Sequence, residues 1–288
     1  MIAASAQSNR STAAQLPDPN QIALKLTGRD YLSYSALSTY QTCSLRYFFR
    51  YVAGVSSEFV SSSLIFGGAI HSAIELHFRR MFEGAAAPSI DELMIAYEQA
   101  WKSRNTLPIR FGKNESVESL RDLARRMLIA FQASEVSKLD TRLIAIEEEF
   151  RSPVVSGCPD LLGRVDLLAV DRAVLRIVDF KTSRSRWSEA KMQDAAPQML
   201  MYSELARPIA TALGVRELRL EWVVLTKTKN PVVETHSLTV DLRQIARTKN
   251  VVRRVWNAIR GGHFYPSPSP MACSTCAYRQ ACRNWKGA

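Results

Sequence analysis

The spacing of apolar residues changes near residue 140 of this 288-residue chain, from a helical period to short strand-like runs. Before that point, apolar side chains recur every three or four residues, as on one face of a helix. Serines mark two of the helix starts: Ser35 is a candidate N-cap, and Ser89 with Glu92 forms a candidate capping box. The predicted helices cover residues 35–52 and 67–82, a segment that begins at Ser89, and residues 116–137.

The second half contains short runs rich in branched side chains, which are typical of strands. Residues 197–206 return to a helical pattern, with Pro197 in the first turn, where no N–H is needed. Asp241 with Gln244 caps a last, basic helix that extends to about residue 260. The predicted strands are residues 142–150, 161–170, 174–181, 219–227 and 231–240, the last two forming a hairpin around Lys229 and Asn230. The prediction is an α+β fold: a small mixed sheet flanked by helices.

The two ends of the chain differ from the middle in composition. Residues 1–29 are rich in Ala, Ser, Gln and Asn, and we expect a disordered tail there rather than the transit peptide that they weakly resemble. Residues 30–288 are expected to form one domain: a mainly helical part (30–138), the sheet with its helices (139–262) and a cysteine-rich end (263–288). No stretch is long and apolar enough to span a membrane, and the apolar block of a secretory signal is absent. The expected location is the cytoplasm, with no membrane partner.

An excess of basic residues indicates the class of partner. Lys and Arg number 38 against 27 Asp and Glu, a formal net charge of +11. A surplus of this size attracts polyanions, of which nucleic acid is the commonest, although a generic basic surface is the alternative. Two groups of arginines could meet a single strand, the alternative being a solvated helix face and a packed tryptophan. They are Arg243, Arg247 and Arg254 on the last helix, and Arg184 and Arg186 beside Trp187.

Charged side chains interrupt two otherwise apolar strands in the middle of the chain. A two-residue turn at Arg172 and Ala173 would join these strands. It would place Asp166 opposite Asp179 at roughly 5 Å, with Lys181 on the same face. A Mg²⁺ or Mn²⁺ ion would turn the repulsion between the carboxylates into binding, and the lysine would lie beside a water or a phosphate. The alternative is an ion pair of Lys181 on a solvated face, but the flanking apolar runs and the basic surroundings favour the metal site.

The same residues resemble a known family. Gly163-x-x-Asp166, followed thirteen residues on by Asp179-Phe180-Lys181, resembles the core of the PD-(D/E)XK nuclease superfamily, in its RecB-like exonuclease branch. Val165 stands where the superfamily has proline and Asp179 where many members have glutamate, both usual in that branch. The resemblance covers roughly residues 31 to 285 and implies a restriction-endonuclease-like core.

Two further motifs extend the resemblance. Gly67 and His71 match a Gly-x-x-x-His on an upstream helix, and Gln198 and Tyr202 match a Gln-x-x-x-Tyr on the helix after the lysine strand. A lone histidine on an apolar helix face is otherwise more often a core residue, and packing is the alternative role of Tyr202. The resemblance implies a cation bound by His71, Asp166, Asp179 and the carbonyl of Phe180, and catalytic roles for Asp166, Asp179, Lys181, Gln198 and Tyr202.

The cysteines suggest a second metal site, joining the two ends of the chain. Cys273, Cys276 and Cys282 form a C-x2-C-x5-C array, and Cys43 lies far upstream. Four thiolates suit either zinc or an iron–sulfur cluster, and the spacing does not choose between them. The arrangement resembles the staple of AddB-type and CRISPR-associated RecB-like nucleases, which implies a structural 4Fe-4S cluster, with structural Zn²⁺ as the alternative. Cys158 matches no ligand pattern.

The function implied is that of a Mg²⁺- or Mn²⁺-dependent deoxyribonuclease, an exonuclease on single-stranded DNA or DNA ends, in recombination, repair or DNA processing. One alternative is a CRISPR-associated nuclease that trims DNA before integration. The other is a non-catalytic DNA-binding subunit of a helicase–nuclease complex, against which the intact set of Asp166, Asp179 and Lys181 argues. No GxxxxGK[ST] loop occurs in the sequence, so any helicase activity would come from a partner.

Overall fold

A six-stranded mixed sheet forms the centre of the molecule. The computed structural model describes residues 17–139 and 141–287. The strands of the main sheet are β1 (Tyr31–Ser33), β4 (Arg142–Ser152), β5 (Asp160–Asp171), β6 (Val174–Ser183), β7 (Glu217–Thr226) and β8 (Val233–Leu238). Their order is β1-β5-β6-β7-β8, with β4 paired to the other edge of β5; β1 with β5 and β6 with β7 are parallel, and the other pairs are antiparallel. The short strands β2 (Val60–Ser61) and β3 (Ile109–Arg110) pair separately.

Helices cover the sheet, and two large apolar clusters form against its strands, with a small third cluster around Leu45, Phe49 and Tyr278. One cluster contains residues of α1 (Pro19–Thr27), α2 (Tyr34–Thr42), α7 (Glu189–Ala212) and α8 (Leu242–Arg260). The other contains residues of α4 (Ser62–Phe82), α5 (Ile90–Arg104) and α6 (Val117–Ala133). The remaining helices are α3 (Ser44–Tyr47), which continues into a π-helical turn over Phe48–Val52, a 3-10 turn over Glu135–Lys138, α9 (Pro270–Ser274) and α10 (Arg279–Asn284). The predicted mixed sheet flanked by helices is confirmed.

The register between β5 and β6 agrees with the sequence-based prediction. Asp171 pairs with Val174, which leaves Arg172 and Ala173 as the two-residue turn, and Arg172 takes the left-handed conformation (φ 54°) that such turns favour. The ladder continues to the pair Leu167–Val178. In this register Asp166 is the next residue opposite Asp179.

Three predicted helices have different bounds in the structure, and the one expected over 67–82 begins at Ser62. The helix expected over 35–52 is interrupted at Cys43, whose backbone is extended (φ −164°, ψ 109°), and its N-cap is Ser33 rather than Ser35. The helix expected over 197–206 begins at Glu189, so Pro197 lies in its interior instead of its first turn. Burial of the apolar face of α7 against the sheet offsets the cost of a proline inside the helix, about 3 kcal/mol.

The expected disordered tail is wrong for its last part. Residues 19–27 form α1, capped by the side chain of Asp18, and Ala23 is only 1% exposed. The expectation for residues 1–16 falls outside the described residues. The capping box of Ser89 and Glu92 and the cap at Asp241 are confirmed. Among the helices of residues 17–139 and 141–287, none is both long and apolar enough to cross a membrane.

Candidate active site

The sheet forks at Asp166. On one edge of β5, residues 160–162 pair with β1 and residues 167–171 pair with β6, so Asp166 lies where the strand changes partner. Strand β6 pairs with β7 along its whole length, and beyond Val178 its ladder with β5 has ended. The carboxylate of Asp166 bridges the fork, since its Oδ2 accepts a hydrogen bond of 2.7 Å from the backbone N–H of Phe180. A charged residue is therefore held in the strand by a backbone donor that the sheet has left free.

Helix α4 brings His71 to the fork. Its Nδ1 lies 3.4 Å from Asp166 Oδ2 and 3.8 Å from Glu147 Oε1. The side chains of Asp166 and Glu147 are each 11% exposed, against 25% for His71. The histidine predicted as a ligand therefore contacts carboxylates as well as the ring of Phe180, whose centroid is 6.5 Å away.

Glu147 is the site residue that the sequence analysis missed. It lies on β4 between Ile146, which pairs with Leu167, and Glu148, which pairs with Val165, so it stands beside Asp166. Its backbone is left-handed (φ 51°), a conformation that is unfavourable for a residue with a side chain. The run Glu147–Glu149 was a usable signal, because consecutive residues of a strand point to opposite faces and at least one carboxylate must face inward.

Asp179 and Lys181 form a second, adjoining part of the site. Lys181 Nζ lies 2.7 Å from Asp179 Oδ2, and Asp179 is 2% exposed. Within the part of the chain that the structure describes, Asp179 Oδ2 is buried without a partner in hydrogen-bonding geometry. This oxygen has a charged neighbour but retains the capacity to accept another ligand.

Helix α7 supplies the two predicted orienting residues. Gln198 Nε2 donates a 2.8 Å hydrogen bond to the hydroxyl of Tyr202 and lies 3.5 Å from Asp179 Oδ1. Tyr202 also packs against β5 at Gly163, where an added Cβ would lie 2.8 Å from the tyrosine ring. Gln198 and Tyr202 therefore lie near the site, as predicted, and Tyr202 also has the packing role that was the alternative. Gly163 permits the close approach of helix α7 to strand β5.

The charges of the site shift its pKa values strongly. Burial by itself would lower the pKa of His71, but Asp166 and Glu147 outweigh burial and raise it to about 10. Burial also favours the neutral form of Asp166, yet His71 and Lys181 hold the pKa of this carboxyl below its usual value. The pKa of Asp179 rises to about 6, chiefly because the group is buried, with Lys181 opposing the shift. Shifts of this kind are typical of catalytic and metal-binding sites.

The donor atoms suit a divalent cation. One ligand atom each of His71, Glu147 and Asp166 lies within 4.8 Å of the other two, and carboxylate oxygens with an imidazole nitrogen suit Mg²⁺ or Mn²⁺. The predicted ligand set had Asp179 in place of Glu147. In the structure the carboxylate of Asp179 faces Lys181, and Phe180 contributes its N–H to Asp166. The ligand roles of Asp179 and of the Phe180 carbonyl stay predictions.

Comparisons with known proteins give the family and the fold of this chain. The model of the PD-(D/E)XK nuclease superfamily matches residues 31–283, more than half of the chain. The chain belongs to this superfamily. A crystal structure of a candidate exonuclease from Eubacterium rectale has 14% identity and a TM-score of 0.58, covering 99% of this chain and 96% of its own, and shows the shared fold. The crystal structure of SSO0001 has 13% identity and a TM-score of 0.35, with 86% and 94% covered. No curated protein matches the sequence.

The four cysteines predicted as metal ligands come together at a second site, separate from the candidate active site. Cys43, Cys273, Cys276 and Cys282 line one small cavity, and burial together with the three neighbouring thiols raises the pKa of Cys282. Cys158 is buried elsewhere, in the core below α7 and α8.

Backbone hydrogen bonds hold the two ends of the chain together at this cavity. The N–H of Leu45 donates to the carbonyl of Tyr265 (3.1 Å) and the N–H of Glu58 to that of Ala277 (3.0 Å). The break in the helix at Cys43 directs its thiol toward the C-terminal cysteines.

The structure shows packing of Trp187, which was the alternative to a contact with DNA. Trp187 is partly buried and packs against Trp222, with ring centroids 5.6 Å apart, and stacks on His236. Arg186 pairs with Glu234 at 2.6 Å. The contact of Trp187 with DNA stays a prediction.

In the metal-free protein, we expect stability to fall as the pH rises from 7 to 9. The folded pKa of His71, about 10, exceeds the unfolded value of 6.5, so the native state holds a proton that the unfolded chain releases. That contribution is fully present below pH 6.5 and is lost as the pH rises through 10, with a slope of up to about 1.4 kcal/mol per pH unit. The transitions of Asp179 and His77 lie below this window.

The measurement is urea unfolding in a chelating buffer at pH 7, 8 and 9. His71→Gln should flatten the slope, whereas His263→Gln, which changes an exposed histidine, should preserve it. An equal slope in the wild type and His71→Gln would contradict the raised pKa.

Proposed function

We propose that this protein is a metal-dependent DNA exonuclease of the RecB-like branch, acting on single-stranded DNA or on DNA ends. The observation that carries the proposal is the contact of His71 with Asp166 and Glu147 at the fork of the sheet, beside the buried pair of Asp179 and Lys181. A nitrogen and several carboxylate oxygens next to a lysine are the groups that phosphodiester hydrolysis requires.

Each residue has a distinct task in this proposal. A bound cation would supply Lewis acidity, polarising a phosphoryl oxygen and lowering the pKa of a water. His71, Asp166 and Glu147 would hold it, with Asp179 as the predicted further ligand. Although burial opposes it, Asp179 and Asp166 raise the pKa of Lys181, so the ammonium stays protonated at neutral pH. Lys181 would therefore donate hydrogen bonds to the attacking water or to the phosphate rather than act as a base.

The orienting residues act through Asp179. Gln198 bridges Tyr202 and this carboxylate, so both α7 side chains hold Asp179 against Lys181. A buried carboxylate that is fixed in this way loses no conformational freedom when the transition state forms.

The test is cleavage of end-labelled single-stranded and duplex DNA, with Mg²⁺, Mn²⁺ or a chelator. We expect metal-dependent shortening that is faster on the single strand, and a product ladder that reports the strand polarity. A folded protein that binds DNA but cleaves neither form with either metal would overturn the proposal in favour of a non-catalytic subunit of a helicase–nuclease complex.

The biological context has two candidates with the same chemistry. Recombination or repair would pair the nuclease with a helicase, and trimming of DNA before CRISPR integration would pair it with adaptation proteins. Co-purification of the tagged chain from its native host distinguishes them, because the partners belong to different protein classes.

We propose further that the four cysteines hold a structural 4Fe-4S cluster. The four thiols line one cavity, and as donors they suit a cluster of this kind as well as a structural Zn²⁺. One upstream and three C-terminal cysteines resemble the cluster staple of RecB-like nucleases, which is the reason for preferring iron.

Protein purified without oxygen should therefore be brown, with about four irons per chain. Cys276→Ser should lose the iron and the visible absorbance and unfold at a lower temperature, because metal binding contributes to folding. Cys158→Ser is the matched control, since it also removes a thiol but leaves the cavity intact. Zinc in place of iron in the wild type, measured by elemental analysis, would overturn the cluster proposal.

A further inference from the structure

A groove with a volume of about 650 Å³ runs between α2, α7 and α8. Its floor is apolar, formed by Leu37, Leu200 and Val252 among others. Its walls carry hydrogen-bonding side chains, and its outer rim carries one cationic residue. The polar members include Ser38, Gln41, Gln193, Gln244, Thr248 and Arg247. Pockets of about 300–1,000 Å³ accept small organic molecules, so the volume of this groove suits one or two nucleotides and is too small for a segment of duplex.

One end of the groove reaches the active site. Tyr34 lines it, at the first position of α2, directly after the strand that pairs with β5. Pro197 of α7 also lines the groove, and the next residue, Gln198, lies 3.5 Å from Asp179 Oδ1, which places this end of the groove beside the pair of Asp179 and Lys181. A chain whose reacting phosphate lies at the fork can therefore continue into the groove past Tyr34.

The charge along α8 matches a phosphate backbone. Arg247 lines the groove, and Arg243 and Arg254, four residues before it and seven after, lie on the same side of the helix. All three are exposed. The lining also contains one carboxylate, that of Asp194 on α7. A strand of nucleic acid offers both features that the groove can bind, apolar base faces and regularly spaced phosphates.

We propose that this groove binds the single strand next to the cleaved phosphodiester, with bases on the apolar floor and a phosphate at Arg247. The inference rests on the proposed nuclease function and adds to it the path of the substrate. On this proposal the groove is the reason why the protein prefers single strands. Its floor contacts the faces of bases, and in a duplex those faces are stacked on neighbouring bases.

The binding test uses a fluorescent oligothymidylate in a chelating buffer, so that no cleavage occurs. Arg247→Glu is expected to weaken binding about tenfold or more at low salt and to reduce the salt dependence of the affinity. Arg253→Glu is the matched control on the same helix: Arg253 is also exposed, contacts Asn250 and, six residues after Arg247, lies about 120° around the helix axis from it. Ser38→Trp fills the groove without a change of charge and should also weaken binding about tenfold.

A second substrate separates this proposal from the function on which it rests. Bis(p-nitrophenyl) phosphate reaches the metal centre without the groove, so Arg247→Glu and Ser38→Trp should hydrolyse it at the wild-type rate while losing activity on single-stranded DNA. Equal DNA binding by Arg247→Glu and Arg253→Glu, or wild-type binding of duplex as tight as that of the single strand, would overturn the groove proposal. A wild-type protein that cleaves neither substrate would overturn the nuclease function instead, and the binding comparison would still decide the groove.

Discussion

Asp166→Asn is expected to reduce the rate of DNA cleavage about a thousandfold or more while the protein stays folded. A catalytic cation contributes several kcal/mol to the transition state, and each 1.4 kcal/mol or so is tenfold in rate. The substitution removes the negative charge that faces His71 but keeps an oxygen that can accept the hydrogen bond of the Phe180 N–H. The measurement is single-turnover cleavage of labelled single-stranded DNA with saturating Mn²⁺, together with Mn²⁺ binding by calorimetry.

Asp160→Asn is the control for this variant. Asp160 begins the same strand and pairs with Arg151 at 2.9 Å, on the part of β5 that meets β1. It should cleave at the wild-type rate. If Asp166→Asn cleaves DNA at a rate within tenfold of the wild type, the catalytic cation does not need the carboxylate of Asp166. The proposed mechanism would then be wrong.

Glu147→Gly is expected to reduce metal binding and cleavage far more than it reduces the free energy of unfolding. The left-handed conformation at Glu147 costs roughly 1–2 kcal/mol for a residue with a side chain, and glycine removes that cost. The greater flexibility of the unfolded chain opposes the gain by about 0.5–1 kcal/mol, and the loss of the partly exposed ion pair with Arg164 by about 1 kcal/mol or less. The protonated His71 also loses one of its two carboxylate neighbours. The free energy of unfolding should therefore fall modestly, whereas Mn²⁺ affinity and cleavage should fall by at least about a hundredfold.

The neighbouring residue gives the matched comparison. Glu148 is exposed on the same strand, and Glu148→Gly should lose about 1 kcal/mol of stability because glycine is unfavourable in a strand. Its activity should be unchanged. If Glu147→Gly retains both metal affinity and cleavage, the left-handed residue has no role at the centre, and the cation must be held by the predicted set with Asp179.

The fork also explains why charged residues are tolerated inside the sheet. A continuous ladder between β5 and β6 would have paired the Phe180 N–H with a backbone carbonyl of β5 instead of the carboxylate of Asp166. Because the first residues of β5 pair with β1, the Phe180 N–H has no backbone partner on β5. It donates its hydrogen bond to the carboxylate of Asp166 instead. The change of pairing partner along β5 therefore makes room for a site in which carboxylates lie close together. A cation bound there would relieve their repulsion.

Local patterns predicted much of this fold. The turn at Arg172 and Ala173 fixed the register of the hairpin, because a two-residue connection leaves a single pairing and each further pair follows from it. The capping box of Ser89 and Glu92 also needed no knowledge of distant residues. Both features lie within a few neighbouring residues, where backbone geometry and short-range hydrogen bonds are sufficient.

Other features depended on packing between distant parts of the chain. Strand β1 is three residues long and has no pattern of its own; it exists because β5 offers it an edge. Pro197 was expected to begin a helix, but the contact of α7 with the sheet extends the helix by eight residues before it. The tail expected before residue 30 includes α1, whose Ala23 is buried in the core.

The sequence by itself determined the family motifs, the mixed sheet with its helices and the strand register that sets Asp166 opposite Asp179. These features follow from spacing along the chain. Only the tertiary structure decided which groups meet. It placed Glu147 beside His71, directed Asp179 to Lys181, gathered four cysteines from both ends and opened a groove that leads to the centre. The physical reason is that contacts between distant elements depend on how helices and strands pack, and several packings are compatible with the same local pattern.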